Sequence, residues 1–205
     1  MQVTFNLSEF ERKAIQLGAT EKQIPYALAT GMTWAMRDAV DAETQAIPQA
    51  FDRPVPFTMM AIGYTPASKN SLRFEVFVKD RQATYLGIGV QGGTRTPASA
   101  KTLATPFIQR NAYGNVGRGA LRAIAQDPKV FSGVPRGGGG KPAGLWRRTG
   151  NNTSIRLLAL FKPTLEYSKR FDFDGIFERT VRAQMPTKIA RAVERVMTRF
   201  AARGG

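Results

Sequence analysis

Glycine and proline are bunched rather than spread along this chain. They make up 32 of its 205 residues, and their clustering predicts a packed body carrying at least one long irregular excursion. Between the breaks, three stretches keep a clear period. From about Glu21 to Gln45, the residues Ile24, Leu28, Met32, Ala35, Ala39 and Ala42 recur at helical spacing, with Thr20 as N-cap and Pro25 early enough to be tolerated. The small residues Ala27, Ala29 and Gly31 would let another backbone approach this helix closely. From Ile176 to Phe200, apolar residues again recur on one side, with Lys188, Arg191, Arg195 and Arg199 as a basic stripe on another. Asp172 or Asp174 is placed to cap that helix, and Pro186 to kink it. Leu72, Phe74, Val76 and Val78 alternate with polar residues, as in a half-buried strand.

Weaker signals fill the rest. Val3, Phe5 and Leu7 alternate as a short strand or arm; Ser8 with Glu11 reads as a capping box opening a short helix that Gly18 stops. Pro48, Pro54 and Pro56 break the chain. Residues 59–66, 72–79 and 84–90 read as three strands of an antiparallel meander packed on the long helix. Residues 93–152 lack a sustained period, apart from a short helix near 118–126 and a strand at 130–134. They run into the tetraglycine 137–140, expected to be a mobile tip. Ile155 to Phe161 reads as a buried strand, and a turn or short helical piece should follow Pro163. The fold class is therefore α+β: a mainly antiparallel sheet packed by a long N-terminal helix and a long basic C-terminal helix. The chain reads as one domain, residues 1–205, with an extended Gly/Arg-rich loop at 93–152.

The charge is uneven. The formal net charge is +15, with residues 1–91 neutral, 92–152 at +9 and 153–205 at +6. Such an excess repels itself unless an acidic partner is present: nucleic-acid phosphates or an acidic protein surface. The side chains expected to face such a partner or DNA are Arg136, Lys141, Trp146, Arg147 and Arg148, with Trp146 as a stacking group, and Arg191, Arg195 and Arg199 on the last helix.

Catalysis is not expected. The chain has no histidine and no cysteine, which removes Ser-His and Cys-His pairs, imidazole and thiolate metal sites, and disulfides. The close acid pairs Glu9/Glu11, Asp38/Asp41 and Asp172/Asp174 read as solvated helix faces or caps. A phosphate-binding loop fails around Lys141, because Pro135 replaces its first glycine and Pro142 its hydroxyl residue. No cofactor and no metal are expected. No run of residues is apolar enough to span a membrane, and the N-terminus lacks the layout of a secretory signal; synthesis in the cytoplasm follows.

The layout resembles a known family. The Ala-rich helix Ile24-Pro25-Tyr26-Ala27-Leu28-Ala29 through Arg37-Asp38-Ala39-Val40 precedes a proline-interrupted break, paired strands, an Arg/Gly-rich middle, a late strand and a basic last helix. In this order, and in Phe51-Asp52-Arg53-Pro54-Val55-Pro56-Phe57-Thr58, the chain is similar to the minor tail and tail-completion proteins of long-tailed bacteriophages. The resemblance implies a virion structural protein of the neck or tail. It would act by protein–protein assembly with other virion proteins as a homo-oligomeric ring, beside packaged DNA that it contacts non-specifically. The alternative from charge alone is a non-sequence-specific nucleic-acid-binding protein of replication or packaging.

Overall fold

The computed structural model describes residues 6–16, 18–20, 22–98, 100–136 and 139–202. The expected strand at 1–7 falls mostly outside them, as does half of the tetraglycine. The chain divides into two compact units, one of Met1–Val90 with Phe171–Gly205 and one of Gln91–Arg170. The expected α+β class is what is seen, with helices and antiparallel sheets throughout.

The first unit is built on two long helices. Helix α1 (Ser8–Gln16) is capped by Asn6, whose Oδ1 accepts the Ser8 N–H at 3.0 Å, and not by the Ser8–Glu11 box. Helix α2 (Gln23–Ala50) follows Lys22, and Gln23 reaches back to the Thr20 N–H at 2.8 Å. It runs through Pro48, past its expected end. A proline in the last turn removes only one donor, and the turn is closed by the Phe51 N–H on the Ile47 carbonyl at 2.9 Å. The last element, helix α6 (Phe173–Ala201), starts directly after Asp172 and lies antiparallel along α2.

This helix pair is the core of the unit. Ala27, Leu28, Ala35 and Ala39 of α2 and Val181, Met185, Ile189 and Val193 of α6 are buried together. Burying each large apolar side chain contributes about 1.5–3 kcal/mol before entropy is counted. The small residues expected to admit a neighbouring backbone do so within the chain: a Cβ on Gly31 would lie 2.5 Å from the Ile189 Cα. The apolar side of α6, expected to cover a sheet, instead meets α2. Where the helices cross at their polar margin, Lys188 Nζ sits 2.6 Å from Asp38 Oδ2, both about a quarter exposed (25% and 30%).

Beyond α2 come helix α3 (Pro56–Met59), strand β1 (Ile62–Thr65), strand β2 (Glu75–Val78) and helix α4 (Asp80–Gln91). β1 and β2 pair antiparallel, with Ile62 opposite Val78, as the hairpin reading predicts. The third strand of the expected meander does not exist; residues 84–90 lie in α4. Leu86 of that helix is buried with Ile47, Ala61, Ile62 and Phe171, and Gly89 makes room for the Phe51 ring. Phe51 and Phe173 flank Phe171 edge-on, with centroids 6.0 and 5.9 Å away.

The second unit fills the stretch expected to be irregular. Strands β3 (Gly93–Arg95) and β8 (Leu165–Tyr167) pair antiparallel where the segment enters and leaves, so the piece after Pro163 is a strand and not a turn or helix. A four-stranded antiparallel sheet has the order β4 (Leu103–Pro106), β7 (Ser154–Lys162), β6 (Gly144–Thr149), β5 (Val130–Gly133). The short helix α5 (Ala120–Ala125) lies where it was expected. Its Leu121 and Ile124 pack on Leu145, Leu158, Ala159 and Val130. Gly144 is the buried first residue of the inner strand β6, where a side chain would press on the Ala159 carbonyl and lie 2.7 Å from Leu157 Cδ1. Gly144→Ala is therefore expected to destabilise the second unit by about 2 kcal/mol. Hydrogen exchange should show faster exchange in β6 and β7 while α2 and α6 keep their protection.

Candidate polyanion interface

The division into units sorts the charge more sharply than the linear sequence does. Residues 91–170 carry fourteen lysines and arginines against two acids, Asp127 and Glu166, for a net +12; the rest of the chain holds sixteen against thirteen, for +3. Thirteen of those fourteen cations are exposed, and Arg147 is half-buried. The unit's own two acids can neutralise at most two of them.

The sheet register shows how several of these cations are brought together. Arg147 on β6 stands directly opposite Arg156 on β7. Two like charges in a cross-strand pair destabilise a sheet unless something neutralises them. Asp127 does so for one: its Oδ2 accepts from Arg147 Nη2 at 3.1 Å. The Arg147 Nε is buried without a partner. The next residue, Arg148, points to the opposite face and lies over the Phe131 ring, 4.7 Å from its centroid. Its backbone N–H bonds the Lys129 carbonyl at 2.8 Å, so Lys129 starts the same edge. Arg118 and Arg122, at and just before α5, stay in solvent while that helix buries Leu121 and Ile124. The guanidinium groups of the Arg147–Arg156 pair present fork-like donors that match phosphate or carboxylate oxygens.

The residues expected to face a partner fall into two separate groups. Arg136, Lys141, Arg147 and Arg148 belong to the second unit; Arg191, Arg195 and Arg199 belong to α6 in the first. Trp146 is not a stacking group. It is only 5% exposed, its Nε1 is buried without a partner, and it stands opposite Leu157 and Phe131 inside the sheet. On α6 the basic stripe is partly engaged: Arg195 lies over Trp34 at 5.5 Å and Lys188 holds Asp38. Arg156 was passed over because residues 155–161 read as a uniformly buried strand. The alternation of Ser154 and Arg156 with Ile155 and Leu157 was the signal for its exposure.

One buried charge was also missed. Glu43 on α2 is fully buried, in the stripe Ala35, Ala39, Glu43, Ile47 that faces inward at four-residue intervals. Neither carboxyl oxygen has a hydrogen-bond partner. Burial pushes its pKa up from the ordinary 4.5 to about 8; the Phe177 amide, short of a full hydrogen bond, offsets part of this, and Asp172 and Asp174 add to the rise.

The chain matches no protein-family profile, no curated protein and no solved structure. Among the described residues no three acidic side chains gather as metal ligands, and no helix is long and apolar enough to cross a membrane.

Proposed function

We propose that this chain is a structural component of a tailed-bacteriophage virion, of the neck or tail-completion type, working by protein–protein assembly and without catalysis. The observation that carries this reading is the segregation of charge. A nearly neutral unit built on a long helix pair is joined to a small unit of net +12 with few acids to balance it. A unit of that charge repels its own kind, and an acidic neighbour relieves that repulsion. A subunit beside a DNA passage, with acidic proteins around it, meets this requirement. The surrounding partners are other virion proteins and further copies of this chain in a ring.

The same charge supports a second reading, a non-sequence-specific nucleic-acid-binding protein. The two separate in one experiment: the solution mass of the purified protein, with and without a duplex DNA fragment, over a salt series. The assembly reading expects a defined monomer or ring whose mass is unchanged by DNA near physiological salt. The second reading expects stoichiometric binding whose log affinity falls with log salt at a slope of about −0.9 per phosphate neutralised. If it does bind, Arg118→Glu with Arg122→Glu is expected to reduce that slope by about two.

A further inference from the structure

One flank of α2, beside the seam with α6, lines a groove. Tyr26, Thr33, Trp34 and Arg37 come up at helical spacing on this flank, and the turn between β1 and β2 closes the other wall with Ala67, Ser68 and Lys69. The groove has a volume of about 450 Å3. Its far wall is held firmly. Ser68 and Ser71 exchange backbone hydrogen bonds at 2.9 and 3.0 Å, and Thr33 Oγ1 reaches the Ala67 carbonyl at 3.5 Å.

Its chemistry is that of a clamp for carboxylates around an apolar anchor. Tyr26 is 47% exposed and Trp34 half-buried, so part of each ring is accessible to an incoming side chain. Arg37 and Lys69 are both exposed cations on the lining, and the exposed Arg195 of α6 lies over the Trp34 ring, 5.5 Å from its centroid. Among the described residues no carboxylate lines the groove. The nearest acids along α2 are Asp38, held by Lys188 at 2.6 Å, and Asp41, one turn beyond Arg37.

We propose that this groove docks an acidic segment of a partner protein, with an aromatic or aliphatic side chain seated between Tyr26 and Trp34 and carboxylates on either side paired with Arg37, Lys69 and Arg195. Charge selects this occupant. A nucleic acid would be drawn to the unit of net +12, whereas here three cations stand out locally in a unit of only +3, which suits a few placed carboxylates. A second copy fits poorly: its acidic-aromatic run Glu9-Phe10-Glu11 already packs Phe10 against its own core. The inference does not depend on the virion assignment.

The test uses the full chain and a fluorescein-labelled short peptide of glutamates around a central phenylalanine, read by anisotropy, with its lysine-for-glutamate counterpart and an oligo-dT as comparisons. Saturable binding of the acidic peptide is expected, weakened roughly tenfold or more by Arg37→Glu with Lys69→Glu, and by Tyr26→Ala, at unchanged melting temperature. Arg118→Glu with Arg122→Glu in the other unit should leave it intact. Absence of saturable binding, equal affinity in the Arg37/Lys69 variant, or oligo-dT binding lost in that same variant would each overturn the proposal.

Discussion

Replacing Gly31 with valine is expected to cost the fold about 3 kcal/mol, because even its Cβ would stand 2.5 Å from the Ile189 Cα and 2.9 Å from the Ile189 nitrogen. Both are backbone atoms, so no rotamer change relieves the clash. The two helices must move apart, and the whole stripe of Leu28, Ala35, Val181, Met185 and Val193 loses its packing with them. The control is Gly87→Ala in α4, where a Cβ meets nothing within 4 Å. There the gain in helix propensity of about 0.5–1 kcal/mol should appear as stabilisation. Thermal unfolding of the two variants beside the parent protein gives opposite shifts on this account. A Gly31→Val protein as stable as its parent would mean that α2 and α6 are not in such close approach.

Substitution of Glu43 should act in the other direction and depend on pH. With a folded pKa of about 8 against 4.5 in the unfolded chain, the neutral carboxyl is the form the fold tolerates. In the unfolded chain the group loses its proton near 4.5, while the folded chain still holds it. This group's contribution to stability therefore falls as pH rises through that interval, by about 1.4 kcal/mol per pH unit, and levels off above pH 8. Glu43→Gln removes the titration without changing the shape. It should match the parent at pH 4, exceed it by about 3 kcal/mol at pH 7, and gain no more above pH 8. Glu43→Met should be the more stable of the two, since it also removes the two unpartnered oxygens. Denaturant unfolding at a series of pH values reads this directly. Parallel curves for the parent and Glu43→Gln would show that Glu43 ionises in the folded state at its ordinary pH.

Why Glu43 escaped notice in the sequence is instructive. An ideal helical stripe through Met32, Ala35 and Ala39 continues at Ala42, and that continuation leaves Glu43 at the polar edge. In the fold the inward line runs Ala35, Ala39, Glu43, Ile47: Ala35 and Ala39 pack in the cluster with α6, while Ile47 is buried with Ala61, Ile62, Leu86 and Phe171. That change of neighbours along the helix cannot be read from α2 alone. The two long helices themselves were legible, since twenty-odd residues of sustained period outweigh any local ambiguity. The β1–β2 hairpin was legible through its strict alternation.

Helix α4 was misread for a local reason. Thr84, Tyr85, Ile88 and Val90 favour strands, and Gly87 and Gly89 disfavour helices, yet tertiary packing decides otherwise. Leu86 fills the second core cluster, and Gly89 is the residue that lets the Phe51 ring in. Of the second unit's strands, β5 and β7 were legible; β3, β4, β6 and β8 were hidden by shortness or composition, and the β3–β8 and β4–β7 pairings also by their distance along the chain. β4 ends in a proline and pairs with β7 far along the chain, and β6 carries two consecutive arginines. Of the candidate contact residues, the arginines were legible as charge, but their grouping across the register of β6 and β7 was not. Trp146 misled because a tryptophan between a glycine-rich run and two arginines reads as exposed until its strand neighbours are known.

The order of the two units along the chain has a consequence for how the protein is made. The first unit is interrupted after Val90 and resumes at Phe171, whose N–H bonds the Gly89 carbonyl at 3.0 Å, so the path leaves and returns at one point. During translation α2 leaves the ribosome early, but α6, the element that covers Leu28, Ala35 and Ala39, comes last. At about 5–20 residues per second, an apolar helix face waits several seconds without its partner while the whole intervening unit is synthesised. Nascent chains of this protein should therefore engage a chaperone over that interval and release it once the last helix has emerged.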